Sequence, residues 1–179
     1  MHVEITRLIT GWLEHKEFGV GVLLPNVPRQ KLKGGTDTAP EKPAVFNDVD
    51  FDITKVAGID PPIVPALVVI SDIDLRGGNV AQPKSPSIEY AAVVGIGYYA
   101  EEVEKPRNLR DGNYVLRAVL RSLRLYQESP ERSKDYRELN AIRITTMTGL
   151  TIQRVAGAVP KSRLFGIVFA DFKIMDKAP

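Results

Sequence analysis

Two long segments are apolar on both faces when they are taken as β-strands, and this property limits the folds open to the chain. In the segment 88–100, every position from 91 to 99 is alanine, valine, isoleucine, glycine or tyrosine. The segment 163–175 places Phe165, Ile167 and Phe169 on one face, and Leu164, Val168, Ala170, Phe172 and Ile174 mainly on the other. Side chains alternate between the two faces of a strand, so both segments need cover on both sides. We therefore predict strands that are central in a sheet or part of an interface.

Four further segments have strand character. The sequence ALVVISD at 66–72 is apolar and β-branched, and FGVGVLL at 18–24 predicts a short strand that ends at Pro25. Two more strands are predicted at 140–147 and 150–155. They form either a hairpin with a turn at Thr148 and Gly149 or one long strand with a bulge at Gly149.

Two amphipathic helices are predicted. In the first, 2–14, Ile5, Leu8, Ile9 and Trp12 recur at helical spacing. The second spans 112–127, with Asp111 as its N-cap and an apolar face that includes Leu116, Val119, Leu120, Leu123 and Tyr126. The helices pack on opposite faces of the sheet or together on one face.

The segment 25–65 contains seven prolines and shows no sustained helical or strand periodicity. Loops of this length inside a domain are uncommon. We predict a long proline-rich loop or arm without a regular element. Its apolar residues, Val45, Phe46, Val49, Phe51 and Ile53, need a surface to pack on. That surface belongs either to the same domain or to a second subunit.

Together these elements predict one α+β domain over residues 1–179. It has a mainly antiparallel sheet of four to five strands, two packed helices and the proline-rich excursion. A chain of 179 residues has the size of one domain, and the absence of cysteine excludes disulfides and thiolate metal sites. We expect no signal peptide and no membrane span, because no apolar run reaches about 18 residues.

The chain offers few residues suited to metal binding or acid–base catalysis. Its two histidines, His2 and His15, lie near opposite ends of the first helix, which predicts surface side chains. Asp72 and Asp74 could share one strand face, but no third ligand is evident, so we interpret them as turn residues. The alternation of Asp48, Asp50 and Asp52 lacks the glycine and the glutamate of a calcium loop. A solvated edge that faces polar or basic neighbours explains it better.

Recognised catalytic motifs are also missing. Gly95 and Gly97 lie inside a strand instead of at a strand-to-helix turn, and the sequence has no phosphate-binding loop and no nucleophile elbow. A nuclease of mixed α/β order would need an Asp followed by a Glu-x-Lys pair. Asp72 is followed by Glu89-Tyr90-Ala91, which has alanine in place of the lysine. We therefore expect no enzymatic activity, no cofactor and no metal.

Basic residues are concentrated between 105 and 143, with ten Lys or Arg against five Asp or Glu. Arg117, Arg121 and Arg124 recur at helical spacing and predict a basic stripe on the second helix. Three roles are open for this stripe: contact with phosphates, salt bridges to another subunit, or a plain solvated face.

The order of these elements resembles a known family. The first helix, the strands ALVVISD and IEYAAVVGIGYYAE, the helix NYVLRAVLRSLRLYQ and the closing strands NAIRITTM and RLFGIVFADFKI are similar to tail-terminator or tail-completion proteins of long-tailed bacteriophages, including the Mu-like branch. The resemblance covers most of the chain outside 25–65. It consists of element order, size and pattern, so no site residue follows from it.

This resemblance implies a virion structural protein that forms a homo-oligomeric ring, commonly a hexamer, on the tail tube. The ring would bind the tail tube protein and the head-side connector or neck protein, in the virion tail after assembly in the host cytoplasm. We place Arg117, Arg121 and Arg124 near the channel, where non-specific DNA passage would occur. The predicted subunit-contact residues are Phe46, Phe51, Phe165 and Phe169. The alternative is a small nucleic-acid-binding or regulatory module that uses 105–143.

Overall fold

A computed structural model describes residues 2–29, 31, 38–50, 65–72, 87–101, 105–129, 137–145 and 162–177. Their helices are α1 (His2–Leu13), α2 (Val20–Leu23), a 3-10 helix (Leu24–Asn26) and α3 (Lys105–Glu128). Their strands are β1 (Ala44–Asn47), β2 (Ala66–Asp72), β3 (Ser87–Glu101), β4 (Arg137–Thr145) and β5 (Ser162–Lys177). The chain is α+β, as predicted.

The strands form one five-stranded sheet in the order β1-β2-β3-β5-β4. Strand β1 pairs with β2 in parallel, and the other three pairings are antiparallel. The two strands predicted to be apolar on both faces, β3 and β5, lie next to each other inside the sheet. Strand β2 matches its prediction, and β4 begins three residues before the predicted start at 140. The predicted strand 150–155 and the turn at Thr148 and Gly149 lie outside the described residues.

Both long helices cover the same face of the sheet. Ile5, Ile9 and Leu13 of α1 and Val115, Val119 and Leu123 of α3 share one core with alternate residues of the strands, among them Leu67, Val69, Val94, Ile96 and Val168. The two helices also bind each other, because the indole Nε1 of Trp12 donates a hydrogen bond to the carbonyl of Ser122 at 2.8 Å. Of the two packing alternatives left open by the sequence, the structure adopts the one with both helices together.

The opposite face of the sheet carries a second, smaller apolar cluster. Ala66, Val68 and Tyr99 are buried in it, with Phe46, Ile70 and Leu164 packed against them. Among the residues that the structure describes, no helix contributes to this cluster. We call this surface the second face.

The predicted strand at 18–24 is wrong. Residues Val20–Leu23 form a helical turn that continues into the 3-10 helix. Val20 and Leu24, four residues apart, are both buried against the helical layer. A short apolar run does not distinguish a strand from a buried helical turn, and here packing against α3 determines the outcome.

The predicted N-cap at Asp111 is also wrong. Helix α3 begins at Lys105, and Asp111 lies inside it. Pro106 occupies its first turn, where proline is tolerated because the amide there has no partner within the helix. Asp111 is buried and bound by arginines, as described below.

A β-bulge changes which residues of β5 share a face. The pairing of β5 with β3 shifts register between Gly97 and Tyr99, opposite Ile167 and Leu164. At this shift Gly166 has a φ of 155°, which residues with a side chain rarely adopt. The extra residue reverses the alternation, so Phe165 joins the main core while Phe169 keeps the opposite face. The predicted common face for Phe165 and Phe169 is therefore wrong.

Part of the proline-rich segment 25–65 is regular. Residues 44–47 form β1, so the expectation of no regular element there is wrong for these four residues. Val45 packs on the main core and Phe46 on the second face, which shows that this part of the arm is covered by its own domain. The side chain of Arg7 on α1 binds Asp50, with Nε 3.0 Å from each carboxylate oxygen.

Candidate functional site

The basic stripe of α3 is exposed as predicted. Arg117, Arg121 and Arg124 lie on the solvent side of the helix, while Leu116, Val119 and Leu123 on the other side are buried in the core. Helical periodicity thus separates the two sets, because residues three and four apart share a face. The guanidinium of Arg121 donates a hydrogen bond to the carbonyl of Asn26 at 2.8 Å.

Next to this stripe is a small cleft that we call the arginine cleft. It has a volume of about 150 Å³ and is lined by Pro28, Arg29, Arg110, Asn113, Tyr114 and Arg117. Four of these residues come from α3 at spacings of three, four and seven, which places them on one side of the helix. Pro28 and Arg29 come from the segment that follows the 3-10 helix.

Hydrogen bonds hold that segment against α3. The hydroxyl of Tyr114 donates to the carbonyl of Leu24 at 2.5 Å, two residues before Asn26, which accepts from Arg121. Beyond the cleft, Nη2 of Arg107 donates to Oγ1 of Thr38 at 2.8 Å, and Arg29 donates to the carbonyl of the same threonine. The wall of the cleft that Pro28 and Arg29 form is therefore held against α3, which forms the other wall.

The carboxylate of Asp111 partly balances the charge beside the cleft. Arg110 donates to Oδ1 of Asp111 from both Nε, at 3.0 Å, and Nη2, at 2.8 Å, and Nε of Arg107 lies 3.8 Å from Oδ2. Burial, and then the charge of Asp111, raise the pKa of Tyr98. Arg117 has no hydrogen-bond or ion-pair partner among the described residues.

The second face is the candidate subunit contact. Phe46 and Phe169 lie there and are half-buried, as are Ile70 and Leu164. Phe169 pairs with Gly95, and a Cβ added there would lie 3.6 Å from the phenyl ring, an ordinary van der Waals distance, so the ring lies on the face to which this Cβ would point. Phe165, by contrast, is 2% exposed in the core under the helices, which contradicts its assignment to a subunit contact. Phe51 lies outside the described residues.

His15 is not the plain surface residue that the sequence suggested. It is half-buried, and its ring stacks on Trp12 and Phe18 with centroids 5.5 and 5.1 Å apart. Its Nδ1 accepts hydrogen bonds from the amides of Glu17, at 3.1 Å, and Phe18, at 3.3 Å. His15 thus supports the turn between α1 and α2.

Asp72, interpreted as a turn residue at a strand end, is the last residue of β2. The described aspartates of the alternation at 48–52 fit the interpretation of a solvated edge. Asp48 and Asp50 are exposed, and Asp50 faces a basic neighbour, Arg7, whose hydrogen bond is the main cause that lowers the pKa of Asp50. Asp52 and Asp74 lie outside the described residues. No group of three His, Cys, Asp or Glu within the described parts of the chain could hold a metal ion. None of the helices described above is long and apolar enough to cross a membrane.

Sequence reasoning found the exposed stripe but missed two arginines of the cleft. Arg110 lies seven residues before Arg117, so a longer search along the helix could have found it. Arg29 is distant in sequence, and no local pattern signals its position. No protein-family model and no curated protein matches the sequence.

Proposed function

We propose that the protein is a structural assembly subunit, without a catalytic role, that associates with copies of itself through the second face. The observation that carries this proposal is a set of half-buried apolar side chains on the side of the sheet away from both long helices. Phe46, Ile70 and Leu164 pack on the smaller cluster, and the pairing of Phe169 with Gly95 places Phe169 on the same face. Apolar surface of this kind is typical of interaction sites. Copies of the same chain would cover it.

The proposed assembly is a closed ring, with six subunits as in the tail-terminator proteins that the element order resembles. A ring repeats one head-to-tail contact. Strand β1 is an edge strand of the described sheet and contains Phe46, so an edge and an apolar surface are available together. In this proposal the ring caps the phage tail tube, binds the head-side connector or neck protein, and functions in the virion tail.

The self-association can be tested with two matched variants. Phe169→Glu places a charge on the second face, whereas Val22→Glu places the same charge on α2, where Val22 is already 44% exposed. Light scattering coupled to size exclusion should give an oligomer for the wild type and for Val22→Glu, and a smaller species for Phe169→Glu. Circular dichroism of each variant checks that the fold is kept. Identical masses for all three proteins would contradict the proposed contact.

The proposed channel position of the basic stripe requires a separate experiment. Complementation of a phage lacking this protein with the variant Arg117→Gln, Arg121→Gln, Arg124→Gln should yield folded subunits but incomplete particles or impaired DNA passage. A ring of arginines would reduce the electrostatic cost of confining phosphates without reading sequence. Full infectivity of the triple variant would contradict the channel assignment.

The second candidate function is a small nucleic-acid-binding or regulatory module, which the exposure of all three stripe arginines favours. Binding to duplex DNA would then weaken steeply with salt, because each neutralised phosphate releases counterions. A monomeric protein that binds DNA with such a salt dependence would support this function over the ring.

A further inference from the structure

We propose that the arginine cleft is a binding site for one phosphate group, either as free phosphate or as a phosphate of a nucleic-acid backbone. This inference does not depend on the proposed ring. It starts from the composition of the lining, which includes the guanidinium-bearing side chains of Arg29, Arg110 and Arg117. Arginine forms planar, charge-assisted hydrogen bonds to phosphate oxygens and stays charged at all physiological pH values.

The charge balance of the cleft favours an anion. The carboxylate of Asp111 binds Arg110 directly, but three arginines line the space. Like charges held close together repel one another, and a bound anion relieves that repulsion. Arg117, without a partner among the described residues, is available to such an anion.

The size and the remaining lining also fit a phosphate group. A volume of about 150 Å³ exceeds the roughly 10–15 Å³ that one water needs, so a group of several atoms can enter. Asn113 supplies an amide that can donate to an oxygen. Among the described residues, no aspartate or glutamate, whose charge would repel the ligand, lines the cleft.

The cleft is also held in place before a ligand arrives. The bonds from Tyr114 to Leu24 and from Arg121 to Asn26 fix the chain that leads to Arg29. The side chain of Arg110 is only 8% exposed and is oriented by Asp111. A site whose donors are already ordered loses less conformational entropy on binding.

Two probes distinguish the sources of the phosphate group. Inorganic phosphate is titrated into the full chain by calorimetry at constant ionic strength, with chloride as the background anion. A short labelled duplex DNA is titrated separately by fluorescence anisotropy. Saturable binding of inorganic phosphate supports a site open to small anions. If the protein binds the duplex DNA but not inorganic phosphate, and Arg117→Gln and Asn113→Asp weaken that binding, the result supports a site for backbone phosphates.

Three variants test the assignment of residues. Arg117→Gln removes one guanidinium, and Asn113→Asp places a carboxylate in the cleft; both positions are exposed on α3, and thermal unfolding checks each fold. Each change should weaken binding at least about tenfold, the size expected for one charge-assisted hydrogen bond. Lys16→Gln is the control that removes one positive charge elsewhere, because Lys16 is exposed, does not line the cleft and does not belong to the basic stripe.

The control should bind as the wild type does. Failure of both probes to bind would overturn the proposal. Equal weakening by Arg117→Gln and Lys16→Gln would also overturn it, since binding would then follow the net charge of the protein. Unchanged binding by Asn113→Asp would likewise exclude the cleft as the site.

Discussion

The tight turn between α1 and α2 predicts opposite effects for the same substitution at two glycines. At Gly19 an added Cβ would lie 2.4 Å from the carbonyl oxygen of His15, 2.7 Å from its nitrogen and 2.7 Å from the carbonyl oxygen of Leu13. All three are backbone atoms, one in the last residue of α1 and two in the turn that follows it. At Gly11, on the exposed side of the same helix, an added Cβ meets nothing within 4 Å.

The magnitude follows from what must move. Gly19 donates a hydrogen bond to His15 at 2.8 Å and accepts from Val22 at 3.1 Å and Leu23 at 3.2 Å, so a shift of Gly19 disturbs the start of α2. Overpacking costs about 1–3 kcal/mol, and each hydrogen bond contributes about 0.5–1.5 kcal/mol net. We expect Gly19→Ala to lower the free energy of unfolding by about 3 kcal/mol. Gly11→Ala should raise it by about 0.5–1 kcal/mol, since alanine favours the helix.

Thermal unfolding followed by circular dichroism measures both effects. For a chain of this size, 1 kcal/mol corresponds to about 2–4 °C, so Gly19→Ala should lower Tm by about 6–12 °C. Gly11→Ala should raise Tm by about 1–4 °C. A Tm for Gly19→Ala equal to that of the wild type would refute the close backbone approach at this turn. Equal losses in both variants would show that glycine itself, and not its surroundings, sets the effect.

Three other predictions concern the packing and charges of the described residues. Trp12→Phe leaves the Ser122 carbonyl without its indole donor and should cost about 1–3 kcal/mol in urea unfolding; no loss would contradict that bond. The pKa of Asp50 is lower in the folded protein than its ordinary value of 3.8. The stability that Asp50 adds to the fold is therefore present above pH 3.8 and is lost as the pH falls through the folded pKa. The free energy of unfolding of Asp50→Asn should therefore decrease less at acid pH than that of the wild type. Burial raises the pKa of Tyr98 above its ordinary value of 10.0. The contribution of Tyr98 to the free energy of unfolding is therefore complete below pH 10.0 and declines as the pH rises further. The stability of Tyr98→Phe should therefore fall less at alkaline pH than that of the wild type. An unchanged dependence of stability on alkaline pH would argue against burial as the cause of the shift.

The sequence predicted those elements whose periodicity is long. The predicted ends of helix α1 and of the strands β2, β3 and β5 all lie within two residues of the observed ends, because each element buries a repeated apolar pattern. The short run at 18–24 was misassigned, since its buried positions Val20 and Leu24 fit a helical turn as well as a strand. The start of α3 was missed because an aspartate before a helical pattern suggests an N-cap, whereas Asp111 is bound by Arg110 inside the helix.

The candidate site was predictable only in part, for a similar reason. Local spacing places Arg117 and Arg121 on one exposed face, but Arg29 reaches the cleft through contacts between Leu24 and Tyr114, which are 90 residues apart. A bulge at Gly166 places Phe165 and Phe169 on opposite faces of the sheet. A single inserted residue has this effect because side chains alternate with a period of two, and sequence alternation alone does not reveal it.

The native mass of the full chain tests the proposed assembly most directly. Sedimentation velocity over a wide range of protein concentration should reveal one closed oligomer, with a mass of six subunits, that persists on dilution. The variant Phe169→Glu should shift this species to a smaller mass while its circular dichroism spectrum stays unchanged. A wild-type protein that remains a monomer at every concentration, with a mass equal to that of Phe169→Glu, would contradict self-association through the second face.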